Sequence, residues 1–198
     1  MARGRLAEEL LELTHRRLAL AGTVYVRHME PGVRVSGRDA RGAQLRFAAG
    51  GPPDYMGTLA GGRSVVFELK STEGETFTWT KAGRGRRQLT RARQAADLES
   101  HGQLGAMAGL LVAFTRPVNR ASLMDFVWVH WSRASLLMEG TWRPDRLALL
   151  EGAARVSWVR GDPDWLAAAR HAEQGIGAAG MGLDRMPAGH TASGPGRG

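Results

Sequence analysis

The chain has 198 residues, 27 basic against 19 acidic side chains (net charge +8), 43% hydrophobic residues and no cysteine. That length suits one compact domain with its own core plus a modest tail, and the missing cysteine excludes a disulfide framework or cysteine-ligated zinc. No apolar run approaches the roughly 20 residues of a membrane span and no signal peptide is visible, so a cytoplasmic protein with no membrane partner is expected. Only Lys70 and Lys81 among the basic residues are lysine. Arginine forks match phosphate bidentately, although an arginine-biased composition with ordinary solvated surfaces gives the same count.

In chain order, Leu6 to Ala21 places its apolar residues on one stripe of an amphipathic helix. Glu8, Glu9 and Glu12 fall in its first turns, where carboxylates suit the helix dipole, and Glu12 is spaced to pair with Arg16. Glu8 lies at the edge of the apolar stripe, where it could face a site beside the core. Thr23 to Arg27 reads as a strand and Pro31-Gly32 as a turn. From 33 to 50, short alternating pieces separated by Gly37 and Gly42 carry Arg34, Arg38, Arg41 and Arg46, the pattern of a short basic hairpin or of any half-exposed strand pair.

The stretch from Pro53 to Thr72, PDYMGTLAGGRSVVFELKST, carries the chemistry. A turn delivers Asp54, glycines mark a hairpin, and a strand from Ser64 to Lys70 carries Glu68 and Lys70. Strand side chains alternate, so Glu68 and Lys70 share one face while Val65, Phe67 and Leu69 enter a core. An Asp one hairpin upstream can fold back beside them. Two carboxylates and an ammonium then share a pocket fit for Mg²⁺, or Mn²⁺, which takes oxygen ligands, polarises a phosphoryl group and activates water. No small-molecule cofactor is called for.

Thr76 to Thr80 reads as a further strand, with Trp79 a core residue or a base-stacking platform. A loop with Gly83 and Gly85 leads to a helix from about Arg86 to Ser100, closed by Gly102. Arg84, Arg87 and Arg91 recur on one face with Gln94, and Arg86 adjoins them. That stripe suits a phosphate track or a solvated face. Gly109 to Phe114 is a buried strand, and Asp125 to Trp131 another, with Phe126, Trp128 and His130 on one face; His130 fits a sheet-face histidine better than a ligand. Ser135 to Glu139 and Pro144 to Glu151 read as short helices, Arg155 to Val159 as a last strand, and Asp162-Pro163 as the cap of a helix ending near Gly175. Residues 1–174 are therefore expected as one domain and 175–198 as a Gly-rich flexible tail. The order implies an α/β fold with a mixed central sheet flanked by helices.

Pro53-Asp54, thirteen residues, then Glu68-Leu69-Lys70 resembles the PD-(D/E)xK nuclease signature. The extended form, Asp54-Tyr55-x-Gly57, Gly62-Arg63 and Phe67-Glu68-x-Lys70-x-Thr72, resembles the central motif of RecU-type Holliday-junction resolvases. Arg3-Gly4, Glu8, Leu11 and Thr14 are similar to that family's opening helix. Gln94, Leu98 and the strand from Gly109 to Phe114 are similar to its Gln-bearing helix and following strand; Gln88 competes for the position, and Gln94 fits better by its distance to Gly109. Pro53 departs from the small hydroxyl residue usual in the family, and the segment corresponding to its protruding stalk is short here.

The resemblance implies a restriction-endonuclease-like core and a Mg²⁺-dependent endonuclease that resolves four-way DNA junctions by paired nicks as a homodimer, in the host cytoplasm if phage-encoded. It implies Asp54, Glu68, Lys70 and Gln94 as catalytic residues, with Asp54, Glu68, Glu8 and the Leu69 carbonyl at the metal. DNA contacts fall to Arg34, Arg38, Arg41, Arg84, Arg86, Arg87 and Arg91. Other PD-(D/E)xK nucleases of repair, restriction or transposon type, and a non-catalytic DNA-binding protein on the same fold, fit the residues as alternatives.

Overall fold

A computed structural model of the chain describes residues 4–30, 33–39, 42–47, 52–79, 86–118 and 121–180; of 33–39, 42–47, 86–90, 117, 118, 121–123, 138, 139 and 177–180 it describes the backbone alone. Its centre is a six-stranded sheet of β1 (Val24–His28), β4 (Tyr55–Leu59), β5 (Ser64–Glu73), β7 (Met107–Val118), β8 (Ala121–His130) and β10 (Ala153–Arg155), in that order across the sheet. Neighbours run antiparallel except β5 and β7, which are parallel and joined through helix α2 (Arg86–Gln103). A parallel pair needs such a crossover, whereas β4 and β5 need only the turn at Gly61 and Gly62, where φ is +93° and +89°.

Alternation along the strands divides the core. Val26, Tyr55, Phe67, Leu111, Phe126 and Trp128 pack beneath helices α1 (Gly4–Leu20) and α5 (Trp165–Gly180). On the other face, Leu110, Val112, Phe114, Val127 and Val129 meet Phe77, Trp79, Leu137 and Leu147, while Val66 meets Leu98 of α2. Trp79 is thus a core residue. That second face is completed by short pieces: β6 (Phe77–Thr78) paired with β9 (Thr141–Trp142), helix α3 (Trp131–Ala134), a 3₁₀ turn (Ser135–Glu139) and helix α4 (Pro144–Leu147). Strands β2 (Val33–Asp39) and β3 (Gly42–Phe47) form a separate antiparallel hairpin between β1 and β4, with a bulge between Val35 and Gly37.

Several boundaries differ from the sequence expectation. Helix α2 runs through Gly102 to Gln103, and Gly105, at φ +88°, takes the left-handed turn beyond it. Gly102 serves a close approach, since a Cβ there would collide with the Trp131 indole. Residues 155–159 are not one strand, because β10 ends at Arg155 and β11 (Trp158–Val159) pairs instead with β12 (Asp162–Pro163). Asp162-Pro163 therefore lies in a small hairpin. The cap of α5 is Asp164, whose Oδ1 accepts the Ala167 N–H at 3.2 Å. Helix α5 continues past Gly175 to Gly180, so part of the expected tail is helical; 181–198 lie outside the described residues. The Glu12–Arg16 pair does not form, and the i,i+4 ion pair of α1 is Arg5–Glu9 at 3.2 Å. No described helix is long and apolar enough to cross a membrane.

Candidate active site

Asp54 enters the site at the mouth of β4. Its carbonyl accepts the Met29 N–H at 2.8 Å, which ties it to the end of β1. Gly57, two positions beyond Tyr55, lets β1 and β4 close up, because a Cβ there would overlap the Tyr25 carbonyl. Across the turn, Tyr55 pairs with Phe67, so Asp54 falls opposite Glu68 just past the last antiparallel pair. The geometry follows from the register: a one-residue slip would send Glu68 into the aromatic core and Phe67 into the site.

Among the described residues, four hydrogen bonds join the site. Asp54 Oδ2 accepts the Leu69 backbone N–H at 3.0 Å and Lys70 Nζ at 3.4 Å. Glu68 Oε2 accepts Lys70 Nζ at 2.6 Å and Gln94 Nε2 at 2.7 Å. Gln94 reaches down from the middle of α2, and Leu98, one turn further on, packs on Val66 to fix the helix against the strand. The parallel neighbour β7 backs the site with Leu110 and Val112 in register with Glu68 and Lys70.

Glu68 is 1% exposed while Asp54 and Lys70 are half-buried. Burial pushes the Glu68 carboxyl up to about 7; the Lys70 ammonium works against that rise and the Asp54 carboxylate adds to it. A buried carboxylate at a group that titrates near neutrality suits proton handling and ligand binding more than stability. These four bonds use Asp54 Oδ2 and Glu68 Oε2, leaving Asp54 Oδ1 and Glu68 Oε1 out of them, and the two carboxyl groups lie close enough to act on each other. In an extended strand a residue's N–H and C=O point to the same side, and the Leu69 N–H donates to Asp54; its carbonyl therefore faces the same edge. All three are oxygen donors of the hard type that Mg²⁺ prefers.

Asp54, Glu68, Lys70, Gln94 and Leu69, all singled out from sequence, come together. Glu8 does not join them. It is exposed on α1, which covers the opposite face of the sheet, and its charge is felt at Tyr55 rather than through any contact with Asp54 or Glu68. Among the described residues no three His, Cys, Asp or Glu side chains gather as a metal cage, so Asp54 and Glu68 are the only carboxylates of this site. His130 caps α3 and bonds Ser132 Oγ at 2.9 Å, which is a structural role. Of the arginines expected on DNA, Arg41 and Arg84 lie outside the described residues; Arg34, Arg38, Arg86 and Arg87 are placed by backbone alone, on β2 and at the start of α2. Arg91 is half-buried on α2, one turn before Gln94.

Sequence reasoning missed the β1 edge. A groove of about 470 Å³ lies not over the carboxylates but beside this strand, lined by Glu12, His15 and Arg16 of α1 and by Tyr25, Arg27 and His28. The available signal was the alternation in VYVRH, which puts Tyr25 and Arg27 on the face that Val24 and Val26 leave exposed. No protein-family model matches the chain, and no curated protein matches it.

Proposed function

We propose that the chain is a metal-dependent DNA endonuclease on a restriction-endonuclease-like, PD-(D/E)xK core, and that its substrate is a four-way junction cut by a homodimer. The observation that carries the nuclease reading is the joined set of Asp54, Glu68, Lys70 and Gln94 on adjacent strands and a crossing helix. The extended motif from Asp54 to Thr72, which resembles the RecU type, supports the junction as substrate.

Asp54, Glu68 and the Leu69 carbonyl would hold Mg²⁺ or Mn²⁺, which supplies Lewis-acid polarisation of a phosphoryl oxygen when bound. Lys70, 2.6 Å from Glu68 and 3.4 Å from Asp54, holds its ammonium where it can orient an attacking water and offset charge on the phosphate oxygens. Gln94 fixes the Glu68 carboxylate through Oε2. Phosphoryl transfer asks mainly for positioning and charge stabilisation, and these groups supply both. The dimer follows from the proposed reaction, since two opposed cuts call for two sites related by a two-fold axis.

The test is gel-resolved cleavage of a labelled four-way junction beside a linear duplex of the same arm sequence, with Mg²⁺ or EDTA, for wild type and Asp54→Asn. Paired symmetrical nicks on the junction alone, abolished by EDTA and by the substitution, are the expected result. Equal cutting of the duplex would keep the nuclease and discard the junction specificity. Tight binding with no cleavage in either Mg²⁺ or Mn²⁺ would overturn the enzymatic reading.

A further inference from the structure

The β1 edge beside α1 has the makings of an anion-binding surface. Val24 and Val26 are buried beneath α1, so Tyr25 and Arg27 project from the opposite face, the one that carries the carboxylates. Arg27 stands opposite Met56, and Met29, the next residue of that face, bonds the Asp54 carbonyl. Arg27 is therefore a diagonal cross-strand neighbour of Asp54, a relation that spans about 7–8 Å. Its side chain is exposed and makes no ion pair among the described residues, unlike Arg17 and Arg63, which are tied to Asp162 and Glu173.

The same edge offers backbone donors. Thr23 and Met29 bond β4, so the alternate residues Val24, Val26 and His28 turn their N–H groups outward to the open edge. Across that edge Arg16 and His28, both exposed and without an ion pair among the described residues, line the groove, His28 with its ring against Tyr55 and Glu12 as the one carboxylate. Tyr25, 57% exposed on the catalytic face, is a flat platform beside them.

We infer that this edge is a phosphate-binding track for a nucleic-acid strand, with Arg27 gripping the backbone beside the catalytic carboxylates, Arg16 and the outward N–H groups continuing the contact around the edge, and Tyr25 supporting a sugar or base. The nature of the ligand rests on the nuclease reading. Unpaired guanidinium groups outnumbering one carboxylate, on a surface contiguous with Asp54, favour a polyanion over a peptide strand added to the edge.

The experiment measures affinity for a fluorescein-labelled four-way junction and a duplex in the uncleaving Asp54→Asn background with EDTA, across about 50–200 mM salt, where each lost phosphate contact lowers the slope of log Kd against log salt by about 0.9. Arg16→Gln with Arg27→Gln should lower the slope by nearly 2 and weaken binding at least about tenfold, and the Lys pair at these positions should restore the slope. Arg170→Gln, an exposed position on α5 away from this edge, should change neither. Thermal melts confirm that the variants fold. An unaltered slope in the Gln pair overturns the inference and leaves the nuclease standing if wild type cuts DNA. A lowered slope with a wild type that never cuts supports the track and removes the enzyme. A changed sedimentation coefficient with an unchanged slope overturns the track in favour of a protein-joining edge, and absence of DNA binding by wild type overturns both readings.

Discussion

Two clusters on opposite faces of the central sheet, the aromatic one beneath α1 and α5 and the carboxylate one beside α2, bury their polar groups in different ways. Beneath α1 and α5, His15, Tyr55, Phe67, Trp128 and Trp165 pack ring against ring with centroids 4.8–6.0 Å apart, and His15 Nε2, the Tyr55 hydroxyl and both indole N–H groups have no hydrogen-bond partner among the described residues. On the α2 side, Asp54, Glu68, Lys70 and Gln94 are linked by hydrogen bonds, while the Trp79 and Trp142 indole N–H groups further along that face have no partner among the described residues. Each face contains a group driven toward neutrality by burial: the His15 imidazole is pushed down to about 4, the Glu68 carboxyl up to about 7. The aromatic cluster gains from that neutrality through close packing. The other cluster retains charge at a cost in stability, with Lys70 and Gln94 both aimed at one oxygen of Glu68.

The comparison breaks most visibly under truncation of the aromatic face. Trp165→Ala should cost about 3–5 kcal/mol, read as a denaturant midpoint shift, since a wholly buried indole leaves a cavity among three rings. By contrast Lys70→Met or Asp54→Asn should leave the melt within a few degrees of wild type yet lower cleavage by at least about 100-fold, equal to about 2.7 kcal/mol of transition-state stabilisation. A site variant that unfolds the chain, or an aromatic variant that melts normally, would erase the distinction between the faces.

Next in size are two pH windows of opposite sign. His15 is depressed from 6.5 to about 4, so below pH 6.5 the unfolded chain binds the extra proton; stability present above that value should fall by about 3 kcal/mol as pH drops to 4, and His15→Leu should flatten the fall. Glu68 is raised from 4.5 to about 7, so the folded chain holds the extra proton; stability present below pH 4.5 should be lost as pH rises through 7, again by about 3 kcal/mol. Glu68→Gln should flatten that loss, and the pH dependence of the unfolding midpoint for the two variants measures both. Mg²⁺ sharpens the contrast. It should raise the wild-type midpoint at pH 8 more than at pH 5, because its ligands must be deprotonated, and should leave Asp54→Asn nearly unmoved. The smallest effect belongs to neither face: Asp164→Ala should cost about 1 kcal/mol through the lost cap of α5.

Much of this was legible in the chain. Alternation in VVFELK placed Val65 and Phe67 in a core and Glu68 with Lys70 on the far side, while in α2 the helical period set Gln94 on the arginine row and only the family resemblance singled out Gln94 and Leu98. Local pattern was weaker at Asp162-Pro163. The cap signature there is sound chemistry, but pairing with Trp158-Val159 outcompeted it and moved the cap to Asp164. Gly102 read as a helix stop because sequence does not reveal Trp131 lying against it. Glu8 was placed at the metal by the family resemblance, its stripe position only permitting the role, and the packing of α1 on the Tyr55 face sets it apart from Asp54 and Glu68.

By itself the sequence determined the alternating strands, the helix faces and the residue types of the site, because side-chain period is a property of backbone geometry that neighbours can use but not alter. Which carboxylates meet, which of their oxygens take the hydrogen bonds, and that the β1 edge leaves Arg16 and Arg27 beside a groove were decided by strand order and register. These depend on pairings between residues tens of positions apart, chosen by the burial of the whole aromatic face rather than by any local signal.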